Sequence, residues 1–135
     1  MKKLVLEDDG QCFACGPHNP DGLRIEWKVE GNTMTGSFLP PQKFQGWKGV
    51  VHGGILATLL DESMTRLACA VSGCAVTAEM TVRYVAPASV GELLYVRGEI
   101  VQEVGKLIEL RSVIHKLDAS GPLIARATGK AIKIP

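Results

Sequence analysis

The residues best suited to chemistry lie in one short segment, His52-Gly53-Gly54, followed nine residues after the histidine by Asp61. The two glycines stand where a helix is predicted to begin, so their amide N–H groups have no partner within that helix and carry partial positive charge. Because glycine has no side chain, a substrate carbonyl can reach these amides, which then stabilise a developing oxyanion. A carboxylate acts on such a carbonyl as a general base on water or as a nucleophile. The segment therefore predicts acyl-transfer chemistry.

One long helix, predicted over residues 54–71, positions these groups. Its interior holds no proline and Ser72-Gly73 follows it as a C-terminal cap. Asp61 lies two turns beyond the glycines, a rise of roughly 10 Å. A stripe of large apolar residues at helical spacing is suited to packing on a sheet: Leu56, Leu60, Met64, Leu67 and Val71. A second stripe of small residues around the acid leaves room for a close approach by a ligand or a backbone: Gly54, Ala57, Thr58, Asp61, Thr65 and Ala68.

Strands account for most of the remaining sequence. Apolar and polar residues alternate over residues 23–30, and a turn at Gly31-Asn32 leads into a second strand at 33–39. Four β-like segments with short separators follow the helix, at residues 75–85, 93–102, 107–117 and 123–134. This order predicts an α+β fold in which an antiparallel meander curls around the helix. We divide the chain into an irregular N-terminal arm, residues 1–22, and a single domain, residues 23–135.

The motif and its surroundings resemble a known family. The segment 49–62, with His-Gly-Gly and the acid nine residues after the histidine, resembles the phenylacetate-pathway (PaaI-like) type of hot-dog thioesterases. The pattern of residues 77–87, Gly91, Gly105 and residues 125–129 is also similar to that family, and the arm resembles an N-terminal extension found on some members. The resemblance implies a hot-dog fold, in which a curved antiparallel sheet of five or six strands wraps around one long central helix.

The same resemblance implies an acyl-CoA thioesterase, which hydrolyses a thioester to the free acid and CoA. Asp61 is then the general base or the nucleophile, and the Gly53 amide of the partner protomer polarises the carbonyl across a dimer interface. The Thr77 hydroxyl is expected near the attacking water. Relatives carry asparagine six residues before the histidine, where this chain has Gly46, so Gln45 is expected to supply the amide that holds the thioester.

The remaining site expectations concern the loop, the CoA moiety and the acyl chain. His52 is expected to fix the loop before the helix by hydrogen bonding, although it is also a rival for the base. CoA carries phosphates that basic side chains bind. The expected CoA-binding residues are Gly54, Arg83, Pro87 and Lys106. An aromatic or medium aliphatic acyl group would contact Phe44, Trp47 and Met80.

The charge composition limits the kinds of binding partner that are expected. The 135 residues carry 15 basic and 14 acidic side chains, a net charge of +1, which gives no reason to expect nucleic acid or an anionic membrane. The N-terminal apolar run ends at Glu7-Asp8-Asp9, too early for a signal peptide. We expect a cytoplasmic homodimer or dimer of dimers that binds acyl-CoA, with no cofactor because CoA is part of the substrate.

The four cysteines are Cys12, Cys15, Cys69 and Cys74. The first two have the spacing of half a zinc knuckle, with His18 three residues further on. Small buried thiols commonly behave as apolar side chains, and the second pair has a different spacing. The sequence therefore favours packed thiols, and no metal site is predicted.

Several alternatives stay open at this point. Glu62 is a rival for the catalytic acid. A hot-dog dehydratase or hydratase would act on the same thioesters, but the acyl-carrier-protein type has its acid about fourteen residues after the histidine, where this chain has Arg66. A non-catalytic acyl-CoA sensor would keep the pocket without the chemistry, and a metal-dependent protein would be organised by Cys12 and its neighbours.

Overall fold

A computed structural model describes residues 5–135. Residues 1–4, which include the start of the charged and apolar N-terminal run, lie outside the described part. A 3-10 turn at Gln42–Phe44 precedes the helix. The regular elements are β1 (Trp27–Glu30), β2 (Thr33–Phe38), α1 (Gly53–Ser72), β3 (Ala75–Tyr84), β4 (Leu94–Val104), β5 (Leu107–Lys116) and β6 (Leu123–Lys133).

Helix α1 forms the centre of the fold and contacts all six strands. The predicted stripe packs on the sheet as expected, except that Val71 is 44% exposed near the end of the helix, while Leu59, outside the predicted stripe, is fully buried. The sheet covers a wider arc of the helix than one stripe, so a second row of leucines is also enclosed. Gly73, at φ +91°, ends the helix in a conformation that favours glycine. Within residues 5–135 no helix is long and apolar enough to cross a membrane.

The six strands form one antiparallel sheet in the order β1-β2-β4-β5-β6-β3. This confirms the α+β, hot-dog prediction, but the simple meander is wrong. Helix α1 crosses over between β2 and β3 and delivers β3 to the far edge, where it pairs with β6 rather than β4. Helix and sheet approach closely at Gly98, because a Cβ there would lie 2.2 Å from the backbone oxygen of Ser63.

The predicted first strand is shorter than expected. Leu23 and Ile25 are buried, yet they lie before β1 and outside its ladder. Arg24 between them has φ +56° and donates its N–H to the carbonyl of Ala14. The alternation of this stretch therefore reflects packing against the N-terminal segment rather than strand pairing. The division of the chain at residue 22 remains a prediction.

Candidate active site

Asp61 lies on α1 where the helix meets β3. Thr77 of β3 donates its hydroxyl to the carboxylate Oδ1 at 2.6 Å, and the Thr65 hydroxyl, one turn further along the helix, lies 3.2 Å from the same oxygen. The two hydroxyl oxygens are 2.5 Å apart. No donor within residues 5–135 bonds Oδ2 of this half-buried carboxylate. One oxygen is thus held by the protein, while the described residues leave the other without a hydrogen bond.

Thr65 was not among the predicted site residues, although the sequence carries a signal for it. Positions four apart on a helix face each other, so a threonine at Asp61 + 4 can bond the carboxylate. Its place in the stripe of small residues indicated contact with a ligand rather than with the acid. Next to Asp61 this stripe consists of the half-buried Ala57 and Thr58, whose small side chains leave space beside the helix. Ala68, in contrast, is fully buried in the core.

The start of the helix has the predicted local structure. The ring Nδ1 of His52 accepts the Gly54 N–H at 2.8 Å, so His52 caps the helix and Gly54 uses its amide internally. Tyr84, at the end of β3, donates its hydroxyl to the Gly53 carbonyl at 2.9 Å. Among the described residues no acceptor takes the Gly53 N–H. This amide is therefore the one available for an oxyanion, and Tyr84, which the sequence did not single out, holds the Gly53 peptide in place.

A groove runs along the loop before the helix and ends at the Gly53 peptide. It is lined by Gly46, Trp47, Val50, Val51, His52 and Gly53. Trp47 is 86% exposed, so it is available to cover a bound group. Phe44 instead packs on Phe38, with ring centroids 6.2 Å apart, and Met80 packs against the core.

Gln45 is occupied within its own loop. Its side-chain oxygen accepts the Gly49 N–H at 3.0 Å, which closes the turn from residue 45 to residue 49. Its side-chain NH2 group is the part left for a substrate oxygen. The expected role of Gln45 in holding the thioester stays a prediction.

The three remaining CoA-site candidates are exposed, but they do not lie together in one protomer. Arg83 is near the end of β3, opposite Arg126 of β6, and Pro87 follows shortly after that strand. Lys106 lies in the β4–β5 turn, where its carbonyl accepts the Lys133 N–H. Because Lys133 pairs with Ala75, the first residue of β3, Lys106 lies near the start of that strand. Lys106 and the pair Arg83 and Pro87 therefore lie at opposite ends of strand β3.

Glu62 does not share the Asp61 environment. It is half-buried beside Cys12 and Cys15, and desolvation raises its pKa, with a smaller opposing contribution from the Cys15 thiol. Adjacent helix positions point in directions about 100° apart, so neighbouring acids face different surroundings. The geometry favours Asp61 over Glu62 as the reactive acid.

A hot-dog fold with an acid on its central helix, and with a glycine amide at the helix start that has no partner among residues 5–135, suits a protein that acts on thioesters. The family model described as the thioesterase superfamily matches residues 48–120, more than half of the chain. The chain belongs to the thioesterase superfamily.

Individual relatives agree with this membership. Acyl-coenzyme A thioesterase 13 of Mus musculus is 35% identical over 109 residues, which cover 79% of this chain and 69% of the relative. Acyl-coenzyme A thioesterase THEM4 of Mus musculus is 31% identical over 120 residues, 84% of this chain and only half of that relative. The structure of a phenylacetic acid degradation-related protein from Ralstonia eutropha superposes with a TM-score of 0.73 at 20% identity, covering 82% of this chain and 86% of that one. The expected thioesterase family is confirmed, and the superposition at 20% identity shows a shared hot-dog fold.

Proposed function

We propose that the chain is an acyl-CoA thioesterase in which Asp61 activates water. The observation that carries the proposal is the paired hydroxyl contact of Thr77 and Thr65 with one carboxylate oxygen, which leaves Oδ2 for the substrate water. Both mouse relatives bear the name acyl-coenzyme A thioesterase, which supports CoA thioesters as the substrate class. We also propose a cytoplasmic location, where acyl-CoA is available.

The reaction follows from these groups. Oδ2 of Asp61 takes a proton from water, and the resulting hydroxide attacks the acyl carbon. The carbonyl oxygen becomes an oxyanion, which a Gly53 N–H stabilises at the start of the helix. The C–S bond then breaks, the CoA sulfur leaves as a thiolate and takes up the proton, and the free acid remains. Attack by the carboxylate itself, through a mixed anhydride, is the alternative route.

We propose that each site is shared between two protomers, because Asp61 and Gly53 are two turns apart on one helix. Strand β3 is ten residues long and forms one edge of the sheet. A long unpaired edge is a template for pairing with another chain. Exposed Tyr84 and Val85 add apolar surface at the end of this edge. Pairing of β3 with its own copy would bury the edge and extend the sheet.

A twofold axis at the middle of β3 brings the two halves of the site together. Thr77 of β3 contacts Asp61, and Tyr84 of β3 contacts the Gly53 peptide. Antiparallel pairing about an axis between Met80 and Thr81 sets Thr77 of one protomer opposite Tyr84 of the other. Asp61 then faces the Gly53 amide of the second protomer. The same operation brings Lys106 of one protomer to the end of the sheet that holds Arg83 of the other, where both can bind CoA phosphates.

A thiol-release assay tests the proposed function. We expect the full chain to release free CoA from at least one member of a panel of aromatic, short and medium acyl-CoA thioesters. The Asp61→Ala variant is the matched control and is expected to bind the same thioester without releasing thiol. Binding without release by the wild type would support a sensor instead, and release of equal size by both proteins would remove Asp61 from the mechanism.

Thr77 is expected to act as a positioning residue. Thr77→Val keeps the shape of the side chain but removes the 2.6 Å hydrogen bond to Asp61, and a bond to a charged group of this kind corresponds to a fall in kcat of about tenfold or more. Thr77→Ser restores the hydroxyl and is expected to recover most of kcat. The measurement is kcat and KM for thiol release, and a change in KM alone would contradict this role.

A further inference from the structure

A second cluster of reactive side chains lies away from Asp61, between the N-terminal segment and helix α1. The Cys12 and Cys15 sulfurs and a Glu62 carboxylate oxygen all lie within 4.8 Å of one another. They line a groove that also includes Arg66, Cys69 and Cys74. The proposed thioesterase mechanism uses none of the three clustered groups.

One carboxylate oxygen of the cluster lacks a hydrogen-bond partner. Glu62 Oε2 is fully buried and has no hydrogen-bond partner among residues 5–135. A buried unpaired carboxylate oxygen is costly unless a proton or a cation accompanies it. A cation bound between the two cysteine sulfurs and the Glu62 carboxylate would coordinate the unpartnered oxygen and stabilise both thiolates.

A backbone turn brings Cys12 and Cys15 close together. Gly16 donates its N–H to the Cys12 carbonyl at 2.8 Å, which folds the segment so that both cysteines face the helix. Zinc bonds thiolate at about 2.3 Å and carboxylate at about 2.0 Å, and its donors in a tetrahedral site are therefore roughly 3.5 to 3.8 Å apart. A shift of about 1 Å, within the reach of side-chain rotation, closes the observed cluster to that size.

We propose that Cys12, Cys15 and Glu62 bind one zinc ion, with water as the fourth ligand, and that this ion ties the N-terminal segment to helix α1. Two thiolates and one carboxylate around a divalent ion leave a net charge of −1, and Arg66 in the same groove offsets it. Cys69 lies outside the cluster, and its thiol donates to the Ala75 carbonyl at 3.5 Å. His18 is outside the cluster and packs beside Gly10.

The test is zinc stoichiometry of the full chain under reducing conditions. After loading with zinc and dialysis, the wild type is expected to retain about one ion per chain, and zinc should raise its Tm because the ion binds only the folded form. Replacement by Co²⁺ should give a thiolate-to-cobalt charge-transfer band in the near ultraviolet. The cobalt measurement needs no variant, so a folding defect in a mutant cannot obscure it.

Variants identify the ligands. Cys12→Ser and Cys15→Ser are expected to abolish retention of zinc, and Glu62→Gln to weaken zinc affinity at least tenfold. Cys74→Ser, an exposed cysteine of the same groove, is the matched control and should retain the ion. The proposal is overturned if the wild type holds no more zinc than the Cys12→Ser protein, or if Cys74→Ser loses zinc equally. None of these readouts depends on thioesterase activity.

Discussion

The Asp61→Asn variant is expected to lose about 100- to 10,000-fold in kcat for thiol release, the usual contribution of a general base. Asparagine has nearly the shape of aspartate and still accepts a hydrogen bond from Thr77, so the local structure should persist. It cannot take a proton from water or attack an acyl carbon, and the loss is therefore chemical. Steady-state kcat and acyl-CoA binding, measured separately, check the prediction.

The matched control is Asp118→Asn, which makes the same replacement in the exposed turn between β5 and β6. There the exposed carboxylate accepts bonds from the N–H and hydroxyl of Ser120. Turnover is expected to stay at the wild-type level in this variant. An Asp61→Asn protein with wild-type kcat would show that another group activates the water.

The Gly53→Pro variant is expected to lose about 100- to 1,000-fold in kcat, because it removes the proposed oxyanion donor. Gly53 is the first residue of α1, a position that favours proline, and His52 already has φ −59° and ψ 133°, as a residue before proline requires. Helix α1 should therefore form normally. Gly53→Ala is the control: it keeps the N–H, and its Cβ would meet the Tyr84 ring at an ordinary 3.5 Å. An active Gly53→Pro protein would contradict the role of this amide.

Mixed dimers of these two inactive variants test whether the site is shared. When Asp61→Asn and Gly53→Pro chains are coexpressed with different tags, a shared arrangement gives each mixed dimer one site with an intact acid and an intact amide. We expect about half of the wild-type activity per dimer, since one of two equivalent sites works. A site within one chain would give no recovery, and this outcome would reject the interface model.

The helix and the strand positions were predictable because they depend on local patterns. The predicted helix, residues 54–71, differs from α1 by one residue at each end, since glycines and a cap mark its limits in the sequence. The four strands after the helix were also placed to within two residues at each end. The alternation of apolar and polar residues led to a wrong strand prediction at residues 23–25, because burial against the N-terminal segment produces the same pattern as a half-buried strand.

The contacts within the site were harder to predict from the sequence. The sequence predicted that His52 would form hydrogen bonds in its loop, and its ring accepts the Gly54 N–H. The predicted place of Thr77 near an attacking water stays a prediction. The sequence did not indicate that Tyr84 would bond the Gly53 carbonyl, because these residues are 31 apart in the chain. Their contact exists only because β3 runs beside the helix.

The sequence by itself determined the helix, its glycine start, the acid two turns along it and the resemblance to a thioesterase family, because spacing and backbone preference act over a few residues. Only the tertiary structure decided that β3 lies at the sheet edge, that Thr65 and Thr77 share one oxygen of Asp61, and that Glu62 meets Cys12 and Cys15. These features join residues distant in the chain, and their contacts depend on how the whole apolar core packs.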